Sequence, residues 1–196
     1  MKVSMPRRSP RFALRTALVL GAIALATMVA TTAAQAASNP DVQAVQELLA
    51  NGRPQEALQR LDARSGPLVL AGTSVDAAAA ELRFLRGVAL MDLNRDAEAL
   101  AWFERMAQDH PALPDPHNNI ALLHVRAGRL EPARRALETA LRNDPSFRVA
   151  RANLGLVHLM LAVQAWDQVV ASGPADPLLV RRLEGARALL ATPAAR

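Results

Sequence analysis

Two prolines 34 residues apart, Pro111 and Pro145, each end a segment that is built in the same way. Before Pro111 the order is Gly87, Ala89 and Leu90, a break at Asn94-Arg95, then Ala99, Phe103 and Met106. Before Pro145 the order is Ala121, Leu123 and His124, a break at Gly128-Arg129, then Ala133, Leu137 and Ala140. Small residues let two helices cross closely, and proline ends a helix. A fixed period of this length predicts stacked helix pairs.

This pattern resembles the tetratricopeptide repeat (TPR) family, in which a large apolar residue and a small one are followed by Ala, an aromatic residue and Pro. Two good repeats, 80–113 and 114–147, carry the resemblance. Neither has the tryptophan or tyrosine usual in the first helix, and His117 and His124 stand at two such places. The resemblance implies an all-α TPR α-solenoid of antiparallel helix pairs whose first helices line a concave groove.

The segment before these repeats predicts a degenerate first helix pair over 37–64. It contains Val42–Ala50, a break at 51–53 and Gln55–Ala63, with Ala57 and Leu61 as packing residues. A linker over 65–74 follows, containing Gly66, Pro67 and Gly72. Thr73 with Asp76 has the spacing of a capping box for the next helix. Terminal repeats of solenoids are often irregular in this way.

The fourth repeat lacks its turn. Gly155 and Ala162 are seven residues apart, whereas Ala121 and Ala133 are twelve apart, so five residues are missing. No helix breaker occurs from Leu156 to Val170, which predicts one fused helix near 148–172 of six or seven turns. It completes a TPR core over 75–174. A capping helix and tail over 175–196 follow, with Asp176 as N-cap and Pro177 in the first turn.

The first 36 residues have the order of an export signal. Lys2 and four arginines precede an uncharged apolar run over 17–30, and Ala34-Gln35-Ala36 is a small-residue cleavage site. We predict a cleavable Sec-type signal cut after Ala36 and a periplasmic mature protein. An uncleaved inner-membrane anchor is the alternative, disfavoured because a spanning helix needs about 20 apolar residues. The Arg7-Arg8 pair lacks the apolar residues expected after a twin-arginine motif.

The net charge of +5 does not indicate a nucleic-acid partner, because it belongs to the predicted signal and not to the mature chain. All five excess positive charges lie in residues 1–36, so the mature chain has 18 arginines and 18 acidic residues. A high pI is a sign of nucleic-acid binding only when the basic residues belong to the folded domain. The chain contains no cysteine, which excludes disulfides and a lipidated N-terminal cysteine.

Neither a metal site nor a catalytic site is predicted. His110, His117 and His124 are spaced by seven, a rise of roughly 10 Å along a helix, whereas ligands of one metal ion lie about 2 Å from it. His124 and His158 are interpreted as replacements for aromatic packing residues. Cysteine is absent and no serine shares a motif with a base, so we expect no enzyme and no cofactor.

Two asparagines occupy one place in successive repeats, because Asn119 and Asn153 are also 34 apart. In the TPR family an asparagine there often hydrogen-bonds the backbone of an extended peptide, and a side-chain amide has the donor and acceptor for that. The other interpretation is that these amides order the helix pair or face water. The predicted groove comprises Phe84, Val88, Met91, Asn118, Asn119, Leu122, Arg126, Asn153, Leu156 and Met160.

These residues predict a non-catalytic adaptor of the bacterial envelope that binds a polypeptide segment of another envelope protein. The basic clamp by which some family members hold acidic tails is not supported, since its places hold Phe84, Val149 and Asn153. We expect no nucleic acid and no stable membrane span after signal cleavage. The alternative is a self-assembling structural scaffold, a homo-oligomer that uses the stripe of Leu179, Leu183, Ala186 and Leu190. A cap on the solenoid end is the favoured role of this stripe.

Overall fold

The computed structural model describes residues 39–63 and 77–191, and its regular structure within these ranges is entirely α-helical. The helices are α1 (Pro40–Ala50), α2 (Pro54–Ala63), α3 (Ala77–Asp92), α4 (Asp96–Asp109), α5 (Pro114–Arg126), α6 (Leu130–Asn143), α7 (Arg148–Ser172) and α8 (Pro177–Ala191). Consecutive helices pack on one another, and α1 also packs on α3. The first unit is α1 and α2, the second α3 and α4, the third α5 and α6, and the fourth is α7. The architecture is therefore the predicted α-solenoid.

The turn inside each of the first three units has the same backbone conformation. One residue has a positive φ: +67° at Gly52, 57° at Asn94 and +70° at Gly128. The arginine that follows donates its backbone N–H to the carbonyl five residues earlier: Arg53 to Leu48 at 2.8 Å, Arg95 to Leu90 at 2.9 Å and Arg129 to His124 at 2.9 Å. This left-handed residue with its long-range bond is a Schellman-type ending, which reverses the chain. Glycine and asparagine are the residues that adopt it most readily.

The core lies between the helices of each pair and between neighbouring pairs. Ala99 and Phe103 of α4 are completely buried, as are the residues 34 positions later, Ala133 and Leu137 of α6. One apolar cluster runs from α1 to α5, and a second runs from α5 to α7. The small residue thus lets the backbones approach, and the large one fills the space beside it.

The fused helix is confirmed, since α7 is continuous over 25 residues, or about seven turns. Its fully buried residues, Ala150, Asn153 and Val157, all lie in its first half. In the second half Val169 and Val170 are exposed. By length and composition, α7 is the one helix in the described residues that is long and apolar enough to cross a membrane, and little of its most apolar window is buried.

The last helix begins as predicted. The Asp176 carboxylate accepts a hydrogen bond from the Leu178 backbone N–H at 2.9 Å, and Pro177 is the first helical residue. α8 packs on α7, with Leu183 and Ala186 buried, and Arg187 pairs with Asp167 at 2.5 Å. The apolar stripe of α8 is therefore largely covered within one chain, as a cap on the solenoid end would be.

Four predicted features lie wholly or partly outside the described residues. They are the export signal (1–36), the linker (65–74), the Thr73–Asp76 capping box and the last five residues of the tail (192–196). The domain limits drawn from them remain predictions.

Candidate polypeptide-binding groove

The predicted groove residues lie on α3, on α5 and on the first half of α7, which are the first helices of three successive units. Five of them are half-buried: Phe84, Val88, Arg126, Leu156 and Met160. The other five are buried: Met91, Asn118, Asn119, Leu122 and Asn153. The accessible part of this surface is therefore apolar, apart from the Arg126 guanidinium.

One apolar position repeats at 34-residue spacing through the three units, as Val88, Leu122 and Leu156. Leu122 in the middle is 6 % exposed, whereas Val88 and Leu156 on either side are half-buried. In a solenoid, equivalent positions of successive repeats lie side by side on one surface. The three residues thus form an apolar row across the first helices.

The side-chain amides of Asn118 and Asn153 join the third unit to the fourth. Asn153 donates from Nδ2 to Oδ1 of Asn118 at 2.9 Å, and the two residues are 3 % and 2 % exposed. Buried amides need such partners because an unpaired polar group is costly away from water. The repeat register indicated Asn119 as the counterpart of Asn153 but did not reveal this bond to the neighbouring asparagine.

Asn119 has a different partner. Its Nδ2 donates to the Asp115 carbonyl of its own helix at 3.0 Å, and the residue is 7 % exposed. Although Asn119 and Asn153 are repeat-equivalent, Asn119 bonds within its own helix, whereas Asn153 bonds to the neighbouring unit. A side-chain amide has two N–H donors and an oxygen acceptor, so one bond does not exhaust either group.

Arg126 fixes the third unit against the second. Its Nη1 donates to the Met91 carbonyl at 3.0 Å and to Oδ1 of Asp96 at 2.8 Å, and its side chain is 18 % exposed. The guanidinium thereby joins the end of α5 to the turn between α3 and α4. Burial raises the pKa of the nearby Asp92 carboxyl, and the positive charge of Arg126 opposes that rise.

The histidines differ in their environments. His117 and His124 are half-buried, and His117 Nε2 and His124 Nδ1 are buried without a hydrogen-bond partner. Desolvation lowers the pKa of both imidazoles, which favours the neutral form expected of packing residues. The packing interpretation is wrong for His158, which is exposed, since α7 continues beyond it as one helix and does not turn back over its own first half. Within residues 39–63 and 77–191, no three His, Asp or Glu side chains are grouped as metal ligands.

A buried arginine was not identified from the sequence. Arg83 is 5 % exposed, its Nη1 lies 3.1 Å from His110 Nε2, and its Nη2 lies 3.9 Å from an Asp109 oxygen. Its carbonyl accepts from Nε1 of Trp102 at 2.7 Å. These contacts tie α3 to the middle and to the C-terminal end of the neighbouring helix α4. The repeat could have indicated this residue, because Arg83 and His117 are 34 residues apart and place a polar side chain at the same repeat position.

The comparison with protein families identifies the repeat. The family model described as Tetratricopeptide repeat matches residues 42–114 and 118–177. A solved structure from Bacteroides ovatus ATCC 8483, described as a candidate protein-binding protein, is similar over 76 % of this chain and 79 % of its own, with 15 % identity and a TM-score of 0.45. No curated protein matches the sequence.

Proposed function

The chain belongs to the tetratricopeptide repeat family, and we propose that it is a non-catalytic adaptor of the bacterial envelope that binds a polypeptide segment in the groove formed by its first helices. The family is typically a protein-interaction fold, so a role in protein interaction follows from membership. The envelope location, the groove and the absence of catalysis are the parts that we propose.

The observation that carries the groove proposal is the apolar row of Val88, Leu122 and Leu156 on three first helices in register. Rows of this kind suit a ligand with side chains at regular intervals, as in an extended polypeptide or an amphipathic helix. The bonds of Arg126 to Met91 and Asp96 hold two of these helices in fixed relation. A rigid surface loses less conformational entropy when it binds a ligand.

The chemistry of the surface favours an apolar segment. Its accessible side chains are Phe84, Val88, Leu156 and Met160, with Arg126 as the cation, and that cation is already paired with Asp96. Burial of apolar area drives such binding. The remaining hydrogen-bonding capacity of Asn119 and Asn153 would serve the ligand backbone after small rearrangements, since an amide pairs with any peptide group.

The proposed location rests on residues 1–36. The basic start, the apolar run over 17–30 and the Ala34-Gln35-Ala36 site support export through a Sec-type signal into the periplasm. The balanced charge of residues 37–196 favours a protein partner over nucleic acid. The partner is then another envelope protein or a segment of one.

The experiment is site-specific photo-crosslinking in the native envelope, with a photoreactive residue at Val88 and, separately, at Leu156. Val88 and Leu156 are preferable to the buried Asn119, because a probe at a half-buried position disturbs the core less than one at a buried position. The control probe replaces Arg135, an exposed residue on the second helix α6.

We expect a discrete adduct from Val88 and Leu156 with the same heavier partner, identified by mass spectrometry, and none from Arg135. Adducts from Arg135 alone would show that a different face binds the partner. A periplasmic fraction that lacks the protein would contradict the proposed location, irrespective of the crosslinks.

A further inference from the structure

The fourth unit lacks the second helix that covers the first helix in the other units. In α4 and α6 the residues that pack inward are buried: Ala99 and Ala133 at 0 %, Phe103 and Leu137 at 0 %, Met106 at 4 % and Ala140 at 0 %. Their counterparts in α7 are Ala162 and Trp166, which are half-buried, and Val169, which is 48 % exposed. The second half of α7 therefore has the sequence of a packing helix without the burial of one.

The first half of α7 lacks the large side chain that packs on the first helix in the second unit. At the matching position of the second unit, a Cβ added to Gly87 would overlap the ring of Phe103. In the third unit, Ala121 is completely buried. In α7, Gly155 is exposed, and in the described part of the chain nothing lies within 4 Å of a Cβ built on it. The place that Phe103 fills in the second unit is open beside Gly155.

Within one copy, no residue of the described ranges 39–63 and 77–191 fills this gap, and Trp166 cannot reach it. Gly155 and Trp166 are eleven residues apart on one continuous helix, a rise of roughly 16 Å. They nevertheless face the same side, because steps of seven, four and three residues keep positions within about 60° of one another on a helix. That shared face comprises Gly155, Ala162, Trp166 and Val169.

We propose that a second copy of this chain completes the fourth unit. Two α7 helices would pair antiparallel about a twofold axis that passes between Met160 and Leu161. Trp166 of each copy would then lie against Gly155 of the other, as Phe103 lies against Gly87 within the second unit. Each copy thus supplies the second helix that the other lacks, in an isologous interface.

Three features identify a second copy as the occupant. The interface continues the contact between first and second helices that the second and third units already form. Residues 152–166 contain no Asp, Glu, Lys or Arg, so the pairing places no like charges together at its centre. Val169 and Val170 of α7 are 48 % and 37 % exposed, so the second half of this helix has uncovered apolar side chains that a second copy can bury.

Membrane insertion explains the exposed apolar helix less well. The first half of α7 is committed to the third unit through Ala150, Val157 and the Asn153–Asn118 hydrogen bond. Spanning a bilayer would expose these contacts and leave the Asn118 amide without its partner. The half of α7 that remains is too short, because a spanning helix needs about 20 residues.

The first test measures the mass of the purified signal-free chain by sedimentation, from low to high micromolar concentration. We expect a concentration-dependent dimer. Gly155→Glu should weaken it by about a hundredfold or more, because a twofold interface buries the unpaired carboxylate twice. Gly185→Glu, at an open and exposed glycine of α8, is the matched control and should leave the mass unchanged. Both positions have room for the side chain, so circular dichroism should show folded proteins.

The second test restores the missing turn. The sequence Gly-Arg-Leu-Glu-Pro, copied from positions 128–132, is inserted between Leu161 and Ala162. The second half of α7 can then fold back onto the first half of its own chain, and we expect a monomer at every concentration. A dimer that survives this insertion would overturn the proposal.

The third test fixes the register. The chain has no cysteine, so Gly155→Cys and Trp166→Cys proteins can be mixed and oxidised. We expect a disulfide between the two variants but not within either one, because a disulfide requires Cα atoms about 4.4–6.8 Å apart. A monomeric native chain at high concentration, or flotation of the chain with liposomes, would overturn the proposal. Gly155→Glu should retain the crosslink at Val88, so dimerisation and groove binding can fail separately.

Discussion

The second and fourth units place a glycine at the same repeat position, and the surroundings of the two glycines are opposite. Gly87 lies directly under the Phe103 ring, whereas the space beside Gly155 is open in the described part of the chain. The large residue that should fill that space is present in both units, as Phe103 and Trp166. The difference lies in the connection between the two halves of the unit.

A five-residue turn therefore decides whether the same packing residues become a core. Asn94 reverses the chain in the second unit and brings Phe103 back over α3. Without such a turn, the helix of the fourth unit continues, because backbone hydrogen bonds propagate cooperatively through residues with good helix propensity. Composition and apolar spacing are alike in the two units, so neither of them determines the burial.

The largest expected contrast concerns the aromatic residues. Phe103→Ala should lower the free energy of unfolding by about 3–5 kcal/mol, because it leaves a cavity in a fully buried site. Trp166→Ala should cost about 1 kcal/mol or less, since Trp166 is only half-buried in one copy. Both losses in free energy of unfolding are measured by urea unfolding of variants that also carry Gly155→Glu, in which the chain is expected to be monomeric.

The native background provides the control for this contrast. If two copies pair through α7, Trp166→Ala should cost more in the native background at high concentration than in the Gly155→Glu background. An equally large effect of the two substitutions in the monomer would mean that Trp166 is already packed as Phe103 is.

Substitution of the glycines should give effects of opposite sign. Gly87→Ala should destabilise the chain by about 1–3 kcal/mol, because its methyl group overlaps the Phe103 ring in a packed core. Gly155→Ala should stabilise the monomeric chain by about 0.5–1 kcal/mol, because alanine favours the helix and meets no neighbouring atom within one copy. Thermal unfolding of both variants at a concentration below that of dimerisation measures the two effects, and destabilisation of the monomer by Gly155→Ala would show that the space beside Gly155 is filled within one copy.

The two repeat-equivalent asparagines should also differ, by a smaller amount. Asn153→Ala removes the donor from the buried Asn118 oxygen and should cost roughly 1–2 kcal/mol. Asn119→Ala removes a bond to a helix carbonyl within α5 and should cost about 0.5–1 kcal/mol. A double-mutant cycle of Asn118→Ala with Asn153→Ala should yield a coupling energy of at least about 0.5 kcal/mol. Additive effects would contradict a direct bond.

The fold could be predicted because its signals are local and periodic. Gly128 and the recurring small and large residues define the helix pairs, and the missing turn before Ala162 predicts the fused helix. Each of these depends on the spacing along the chain and on the conformational preference of one residue type.

The candidate site was less accessible from sequence. Equivalent positions indicated Asn119 and Asn153 as a pair, but the actual bond joins Asn153 to Asn118. Which of two neighbouring side chains reaches the next unit depends on the rotation and crossing angle of packed helices, which 34-residue periodicity does not specify. Burial of Arg83 was missed for the same reason, since its partners are brought together only by the packing of α3 on α4.

The smallest expected effect concerns pH and the repeat-equivalent imidazoles of His124 and His158. Desolvation first, and then the charge of Arg129, lower the pKa of His124 in the folded chain. As pH falls below about 6.5, the unfolded chain takes up the proton first, so the unfolded state binds more protons. The free energy of unfolding should therefore decrease as the pH falls from about 6.5 to the lowered pKa of His124 in the folded chain. The desolvated His117 acts in the same direction.

The burial-raised pKa values of Asp92 and Asp115 act in the opposite direction, because the folded chain then binds protons more readily as the pH approaches the acidic range. The native chain and its histidine variants share these two carboxyl groups, so the difference in free energy of unfolding between them at each pH does not contain this contribution. His124→Gln should reduce the loss of stability between about pH 7.5 and 5.5, as measured by urea unfolding. His158→Gln removes the equivalent imidazole from an exposed position and is the matched control. If both substitutions reduced the pH dependence of the free energy of unfolding equally, the buried His124 and the exposed His158 would not differ in their effect on stability.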